Sequence, residues 1–297
     1  MKKTRNILIA VGAATILVVA AFGVRFASKP RMPATYAELT ALPAKSLDNI
    51  DVALMNLLCA EGLPGAENLD VEECLAVLDR WAEVVKQSEQ KYSVQFFQNR
   101  QTYDNSYAMF QTINLGLTLK EDLKCGYNQE LVRSGAMEDI RSTRFFRNSS
   151  DLFLHGFIES RTGSCSSLPV LMVAVGRRCG YPLYLVTCKG HLFCRWDDGT
   201  ERFNIETACP GVDSKPNDYY KQWPYPSSES EIRTEGYLQN LTPKQELAVF
   251  AQLRASCLQE NGKLDESLEA YTLALEGFPL STHLKAYIDH IHRRNSK

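Results

Sequence analysis

The chain has 297 residues, of which 44% are hydrophobic and 23% are charged, and its formal net charge is -2. This composition is typical of a globular protein that buries a sizeable core. A net charge so close to zero gives no basic face for a polyanion, so we do not expect a nucleic-acid partner.

The N-terminal segment is a membrane or export element. Its apolar run Ile7–Val24 contains no charge and follows three basic residues, and its length is near the lower limit for a membrane-spanning helix. A cleaved signal peptide is the alternative, with a passable cleavage site at Ala21-Phe22-Gly23. Basic residues directly behind the run are unusual after a cleaved signal, so we favour a single-pass anchor over residues 1–28. Under either interpretation the remaining chain is exported, to the periplasm or the extracellular side.

Proline, glycine and charge divide the exported part. Residues 29–46 are predicted to form a linker, residues 47–150 a helical region, 151–222 a mixed core, 223–241 a second linker and 242–297 a C-terminal helical segment. Within the first helical region, apolar periodicity predicts helices over 47–60 and 71–87.

The C-terminal segment carries a weak repeat signal. Ala255, Tyr271, Ala274 and Pro279 fall at the spacing of one tetratricopeptide-type helical pair. Such helices commonly present a surface to another protein, so we expect a protein partner to bind there.

Nine cysteines are present, and an odd number in an exported chain leaves at least one thiol without an intramolecular partner. Cys59 and Cys74 flank the short turn "EGLPGAENLD" between the two predicted helices. Closing a loop of that length contributes about 3 kcal/mol in the chain-entropy model, so we expect these two residues to form a disulfide.

One cysteine stands where a nucleophile would be useful. Cys165 follows Gly163 and lies at the predicted start of an apolar helix, in "RTGSCSSLPVLMVAVGRRCGYP". Unpaired N–H groups at a helix start favour a thiolate and can hold an oxyanion. The alternative is a buried structural thiol.

A nucleophilic cysteine needs a histidine base and an acceptor that orients it. Of the five histidines, those in the C-terminal tail are expected to be solvated, and His155 to be structural or part of a pocket wall. His191 opens a predicted β-hairpin around Asp198-Gly199. With a two-residue turn, His191 faces Glu206 with Cβ atoms about 5 Å apart, so Glu206 is favoured as the orienting group and Asn204 is the alternative.

The same register makes a second disulfide prediction. It places Cys188 opposite Cys209 in a non-hydrogen-bonded pair, with Cα atoms about 4.5 Å apart. That separation is at the short end of the range that a disulfide accepts. We therefore expect Cys188 and Cys209 to be adjacent, and bonded, at the base of the hairpin.

Three ordered motifs together resemble the transglutaminase-like superfamily: "RTGSCSSLPVLMVAVGRRCGYPLYLV", "GHLFCRW" and "NIET". The stretch "YNQELVRSG…FLHGFIESRTG" further resembles a bacterial subgroup that couples this core to helical repeats. The resemblance implies an α+β fold with a papain-like core, in which the cysteine-bearing helix packs on an antiparallel sheet between N-terminal and C-terminal helical extensions. It also implies that Cys165 is the nucleophile, His191 the base and Glu206 the orienting acid, where the family usually has Asp.

The implied chemistry is thiol-dependent acyl transfer on the amide or peptide bond of a protein or peptide substrate. Hydrolysis and transfer to an amine use the same three residues, and the sequence does not separate them. No cofactor or metal is expected, because the chain has no CxxC pair and its histidines lack ligand spacing. The alternative is a non-catalytic binding or scaffold module of the cell envelope with a degenerate core.

Overall fold

The computed structural model describes residues 32–130, 143–207 and 213–295. The anchor expected over residues 1–28 lies outside these ranges. Within them, no helix is both long enough and apolar enough to cross a membrane.

In the described residues, four α-helices precede the mixed core: α1 Tyr36–Thr40, α2 Val52–Ala60, α3 Val71–Gln98 and α4 Tyr107–Leu117. Each begins where a short polar side chain accepts a hydrogen bond from a backbone N–H of the first turn. These capping residues are Thr35, Asp51, Asp70 and Ser106. The predicted helices are therefore present with different ends: residues 44–49 form a separate 3-10 helix, and α3 continues to Gln98.

Two small sheets follow. Strands β1 Gly126–Tyr127 and β2 Thr162–Gly163 pair in parallel, and β3 Leu183–Cys188, β4 His191–Asp197 and β5 Arg202–Ile205 form an antiparallel sheet in that order. Helix α5 spans Leu154–Ser160, and α6 spans Leu168–Arg178 and packs on β3 and β4. The chain is thus a mixed α+β protein in which a helix just after Cys165 covers an antiparallel sheet, as predicted.

The β4–β5 connection differs from the predicted turn. Asp197 pairs with Arg202, and Arg195 pairs with Asn204, so residues 198–201 form a four-residue loop. The Asp198 carboxylate closes this loop by accepting hydrogen bonds from the backbone N–H groups of Thr200 and Glu201, at 2.8 and 2.7 Å. The two-residue register is wrong by two positions, but a shift of two preserves which residues share a face.

The segments predicted as linkers contain helices. Residues 29–46 include α1, and residues 223–241 include helix α8 Glu229–Glu235, which follows the short helix α7 Asn217–Tyr220. Backbone N–H groups of Leu238 and Leu241 donate to the carbonyls of Thr187 and Leu185 at 2.9 Å. This segment therefore covers the open edge of β3 and is part of the core.

Helices α9 Pro243–Glu260, α10 Leu264–Gly277 and α11 Thr282–Asn295 complete the fold, and α9 packs extensively against α10. Ala255 and Ala274 are fully buried, which agrees with the predicted helical pair, while its relation to tetratricopeptide repeats stays a prediction. A two-pronged ion pair between Arg177 on α6 and the buried Glu246 on α9, at 2.7 Å, fastens the C-terminal helices to the core.

The prediction of a disulfide between Cys59 and Cys74 is wrong. The structure has both residues as free thiols. The loop between them is held by other contacts: the carbonyl of Pro64 accepts from Ser149, and that of Gly65 contacts the His155 ring at 3.0 Å. Cys59 ends up fully buried at the end of α2, while Cys74 is only half-buried in the first turn of α3. Packing of the loop on another segment, which spacing does not reveal, decides this outcome.

Candidate active site

Cys165 lies in the turn before α6, three residues ahead of the first helical residue and not at the helix start itself. It is half-buried and lines a cleft of about 690 Å³ together with His191. Gly163 is needed there for space: a Cβ on it would lie 2.1 Å from the Phe157 ring and 2.5 Å from Ser167 Oγ. The glycine thus lets β2 pass close to α5, and its role is close packing.

His191 is the first residue of β4, and a two-residue turn at Lys189-Gly190 places it opposite Cys188. Gly190 has φ +78°, and any Cβ would lie 2.7 Å from the ring of Tyr225. The position therefore requires glycine both for its conformation and for the aromatic ring that covers the turn.

The His191 imidazole binds the predicted acid. Nε2 of His191 lies 2.9 Å from Oε2 of Glu206, and both residues are over nine-tenths buried. This nitrogen is occupied by the carboxylate, and the Cys165 side chain hydrogen-bonds the same imidazole. The structure thus brings Cys165, His191 and Glu206 into one chain of contacts.

Glu206 is itself held in place. The phenol O–H of Tyr220 donates to Glu206 Oε2 at 3.1 Å, and the backbone N–H of Glu206 donates to the carbonyl of Asp213 at 2.7 Å. The Tyr220 ring stacks on Phe193 with centroids 3.9 Å apart. A carboxylate fixed from two sides presents one oxygen to the imidazole in a defined direction.

Asn204 has a different role. Asn204 lies on the same face of the sheet as His191 and pairs with Arg195 on the neighbouring strand. Its Oδ1 accepts a hydrogen bond from Arg195 Nε at 2.8 Å. Its amide nitrogen donates to the Lys215 carbonyl at 2.8 Å and to Asn217 Oδ1 at 3.0 Å. The buried Arg195 network therefore holds Asn204, and the orienting position on His191 goes to Glu206.

The electrostatics of the site favour a charged imidazole. Burial would lower the pKa of His191, but hydrogen bonds and negative charge from Cys165 and Glu206 outweigh it and raise that pKa to about 9. An imidazolium buried between a thiol and a carboxylate is the arrangement that a thiolate–imidazolium pair requires.

Among the described cysteines, Cys165 has distinct surroundings. Burial raises the pKa of the Cys179 and Cys257 thiols to about 11 and of the Cys59 thiol to about 12. Cys188 also lines the cleft, but burial raises its pKa to about 12 and its thiol donates to the Trp223 carbonyl at 3.7 Å. The structure has Cys188 as a free thiol, so the predicted disulfide with Cys209, a residue outside the described ranges, is wrong.

Three site residues were missed by sequence reasoning. Tyr220 binds Glu206, the Trp223 ring meets His191 edge-on with centroids 4.7 Å apart, and the Tyr127 phenol hydrogen-bonds the backbone of Cys165. Tyr127 lies 38 residues before Cys165 and reaches it because β1 pairs with β2 at Gly163. No local pattern marks these aromatic residues, since their positions depend on the path of distant segments.

The other histidines take no part in the site. His155 contacts the Gly65 carbonyl at 3.0 Å and Ser149 Oγ at 3.3 Å, a structural role that the sequence allowed. His283 also lines the cleft, where it lies 3.7 Å from Glu235. In the described ranges, no cluster of His, Cys, Asp and Glu side chains is arranged to hold a metal ion.

Comparison with known families agrees with this geometry. Residues 141–245 match the family model of the transglutaminase-like superfamily. This part of the chain is a transglutaminase-like domain. It includes Cys165, His191, Glu206 and Tyr220, but ends near the start of α9, so most of the C-terminal helices lie outside it.

The superfamily consists mostly of cysteine-dependent enzymes that act on proteins or peptides. Neither a curated protein nor a solved structure matches the chain.

Proposed function

We propose that the protein is an exported cysteine hydrolase or acyltransferase that acts on an amide or peptide bond through a thioester on Cys165. The observation that carries the proposal is the buried contact chain from Cys165 through His191 to Glu206, at the wall of a cleft large enough for a ligand. The single-pass anchor expected from Ile7–Val24 would hold this domain outside the membrane.

The reaction begins with attack of Cys165 Sγ on the acyl carbon, which forms a C–S bond and a tetrahedral oxyanion. The backbone N–H of Cys165, hydrogen-bonded to the Tyr127 phenol in the free protein, becomes a donor to that oxyanion. Collapse of the intermediate breaks the C–N bond, and the His191 imidazolium gives its proton to the departing amine. Water or a second amine then attacks the thioester, His191 takes the attacking group's proton, and the thiolate leaves.

Glu206 acts through His191. Its carboxylate holds Nε2, so that the imidazole keeps Nδ1 toward the thiol, and it stabilises the imidazolium that exists before the leaving group is protonated. Glu therefore does here what Asp does in most of the family, and Tyr220 limits the movement of its carboxylate.

Thiol labelling tests this proposal before any substrate is known. We expect iodoacetamide to modify Cys165 faster than the other described cysteines near neutral pH, and His191→Asn to slow this labelling and shift its pH dependence to that of an ordinary thiol. Cys165→Ala should lose the fast label, and Cys188→Ala, which removes the other thiol in the cleft, should keep it. A peptide library screened for cleavage and for amine incorporation would then separate hydrolysis from transfer.

A slow Cys165 label that is the same in the wild type and in His191→Asn would contradict the nucleophile assignment. The chain would then be the non-catalytic alternative, a binding module that uses the same cleft. Turnover that survives Cys165→Ala would contradict the assignment equally.

A further inference from the structure

The cleft at Cys165 has a second wall outside the matched domain. One cavity of about 690 Å³ is lined by Cys165 and His191 and also by residues of α9, α10 and α11. The match to the transglutaminase-like family ends at residue 245, whereas these helices continue to residue 295. Part of the lining of the cleft that holds the candidate nucleophile is therefore supplied by the C-terminal helices.

This wall is largely aromatic and aliphatic. Tyr271, Phe278 and Leu284 are buried in it, and the Tyr287 ring stacks on Tyr271 with centroids 5.2 Å apart. Tyr287 remains 43% exposed, although it is a large aromatic residue. When an apolar side chain of a ligand covers an exposed aromatic ring on the wall of a concave site, the burial of apolar surface stabilises the complex.

The charges of the lining disfavour acidic ligands. Its one lysine, Lys189, is neutralised by Glu231 at 2.6 Å, and the Glu235 carboxylate accepts hydrogen bonds from Ser281 and Thr282. The Glu260 carboxylate has no ion-pair or hydrogen-bond partner among the residues that the structure describes. The described lining residues thus include an unpaired carboxylate but no unpaired lysine or arginine. The electrostatic potential of this wall is therefore negative.

The lining also holds two unused hydrogen-bonding oxygens. Thr187 Oγ1 and Gln259 Oε1 are buried and have no hydrogen-bond partner among the described residues. Buried polar atoms without a partner are costly, and a side-chain rotation that turns either atom toward the cleft would let a peptide's backbone N–H or C=O group pair with it. A polypeptide carries both groups at every residue.

We propose that α9, α10 and α11 form the specificity wall of this site, and that the cleft binds an extended peptide with an apolar or aromatic side chain beside Tyr287 and no acidic side chain beside Glu260. The proposal rests on the proposed function for the statement that this peptide is the substrate of Cys165. Binding itself does not require the reaction, so the two can be tested separately.

The test uses the full chain with Cys165→Ala, which binds peptides without reacting. Fluorescein-labelled pentapeptide amides of alanine with Phe, Lys or Asp at the central position are titrated, and Kd is measured by fluorescence anisotropy. We expect the Phe peptide to bind at least about tenfold more tightly than the Asp peptide, a ratio that a few apolar contacts and one repulsive charge supply. The Lys peptide should bind more tightly than the Asp peptide.

Matched variants assign the preference to the wall. Tyr287→Ala should weaken Phe-peptide binding about tenfold, whereas Tyr92→Ala, which removes a tyrosine of similar exposure on α3, should leave it unchanged. Glu260→Gln should narrow the difference between the Lys and Asp peptides several-fold, and Glu266→Gln, an exposed charge on α10 outside the cleft, should not.

Equal affinity for the Phe and Asp peptides, or a Tyr287→Ala variant that binds like Tyr92→Ala, would overturn the specificity wall. Iodoacetamide labelling of the chain with Cys165 intact is run beside it. Selective peptide binding together with an inert Cys165 would support the wall and reject the proposed function, whereas a reactive Cys165 without peptide selectivity would do the reverse.

Discussion

Glu206→Gln is the most informative single change, because it removes the charge next to His191 and keeps an amide oxygen where the carboxylate was. The pKa of His191 is about 9 in the native protein against 6.5 for an unperturbed histidine. At about 1.4 kcal/mol for each pKa unit, this is about 3 kcal/mol of preference for the imidazolium. With the carboxylate gone, burial opposes the charge and only Cys165 supports it, so we expect the pKa of His191 to fall by about two units or more.

The assay is an NMR titration of the protein labelled with ¹³C at histidine Cε1, with the His191 signal assigned by its loss in His191→Asn. The iodoacetamide rate of Cys165 near neutral pH should fall on the order of 100-fold in Glu206→Gln, since the imidazolium that supports the thiolate is lost. Glu229→Gln is the control, because it removes one exposed negative charge away from the site. A His191 pKa that stays near 9 in Glu206→Gln, or that falls equally in Glu229→Gln, would refute the assigned role of Glu206.

Three further predictions follow from the same contacts. Because the pKa of His191 is raised on folding, protonation of His191 stabilises the folded state fully below about pH 6.5, and this stabilisation is lost as the pH rises through about 9. The free energy of unfolding, measured by urea denaturation, should therefore be about 2 kcal/mol lower at pH 8 than at pH 6. The difference should be smaller in Glu206→Gln. Tyr220→Phe keeps the stacked ring but removes a hydrogen bond to a charged acceptor, so the Cys165 labelling rate should fall about tenfold with the circular dichroism spectrum unchanged. Arg177→Leu leaves the fully buried Glu246 carboxylate unpaired, so the free energy of unfolding measured in urea should fall by about 3–5 kcal/mol. If the double variant Arg177→Leu/Glu246→Leu regains most of that stability, the unpaired charge is the cause.

Part of this site was predictable because it depends on short-range rules. The apolar stretch after Cys165 and the turn residues at Lys189-Gly190 and Asp198-Gly199 specify a helix, two turns and three strands. The alternation of side chains along a strand then places His191 and Glu206 on one face. The predicted register of β4 and β5 was wrong by two residues, but the two side chains still share a face, because an even shift leaves the faces unchanged.

Other parts were decided by contacts between distant segments. Asp198 closes a four-residue loop, and the buried Arg195 takes Asn204 into its own network, which leaves Glu206 for His191. Tyr220 reaches Glu206 from a helix that local sequence does not connect with the hairpin. Each of these choices depends on which buried polar groups find partners in the folded chain, a condition that spacing along the sequence does not express.

The sequence by itself determined the kind of fold, the cysteine and histidine of the site and the face on which the acid lies, because periodicity, turn chemistry and motif order are local properties. Only the tertiary structure decided that Cys59 and Cys74 remain free thiols and that the predicted linker over 223–241 covers the edge of the sheet. It also decided that the C-terminal helices share in lining the cleft at Cys165. The physical reason is that these outcomes follow from the burial of apolar surface and the pairing of polar groups between segments far apart in the chain, which are settled only when the whole chain packs.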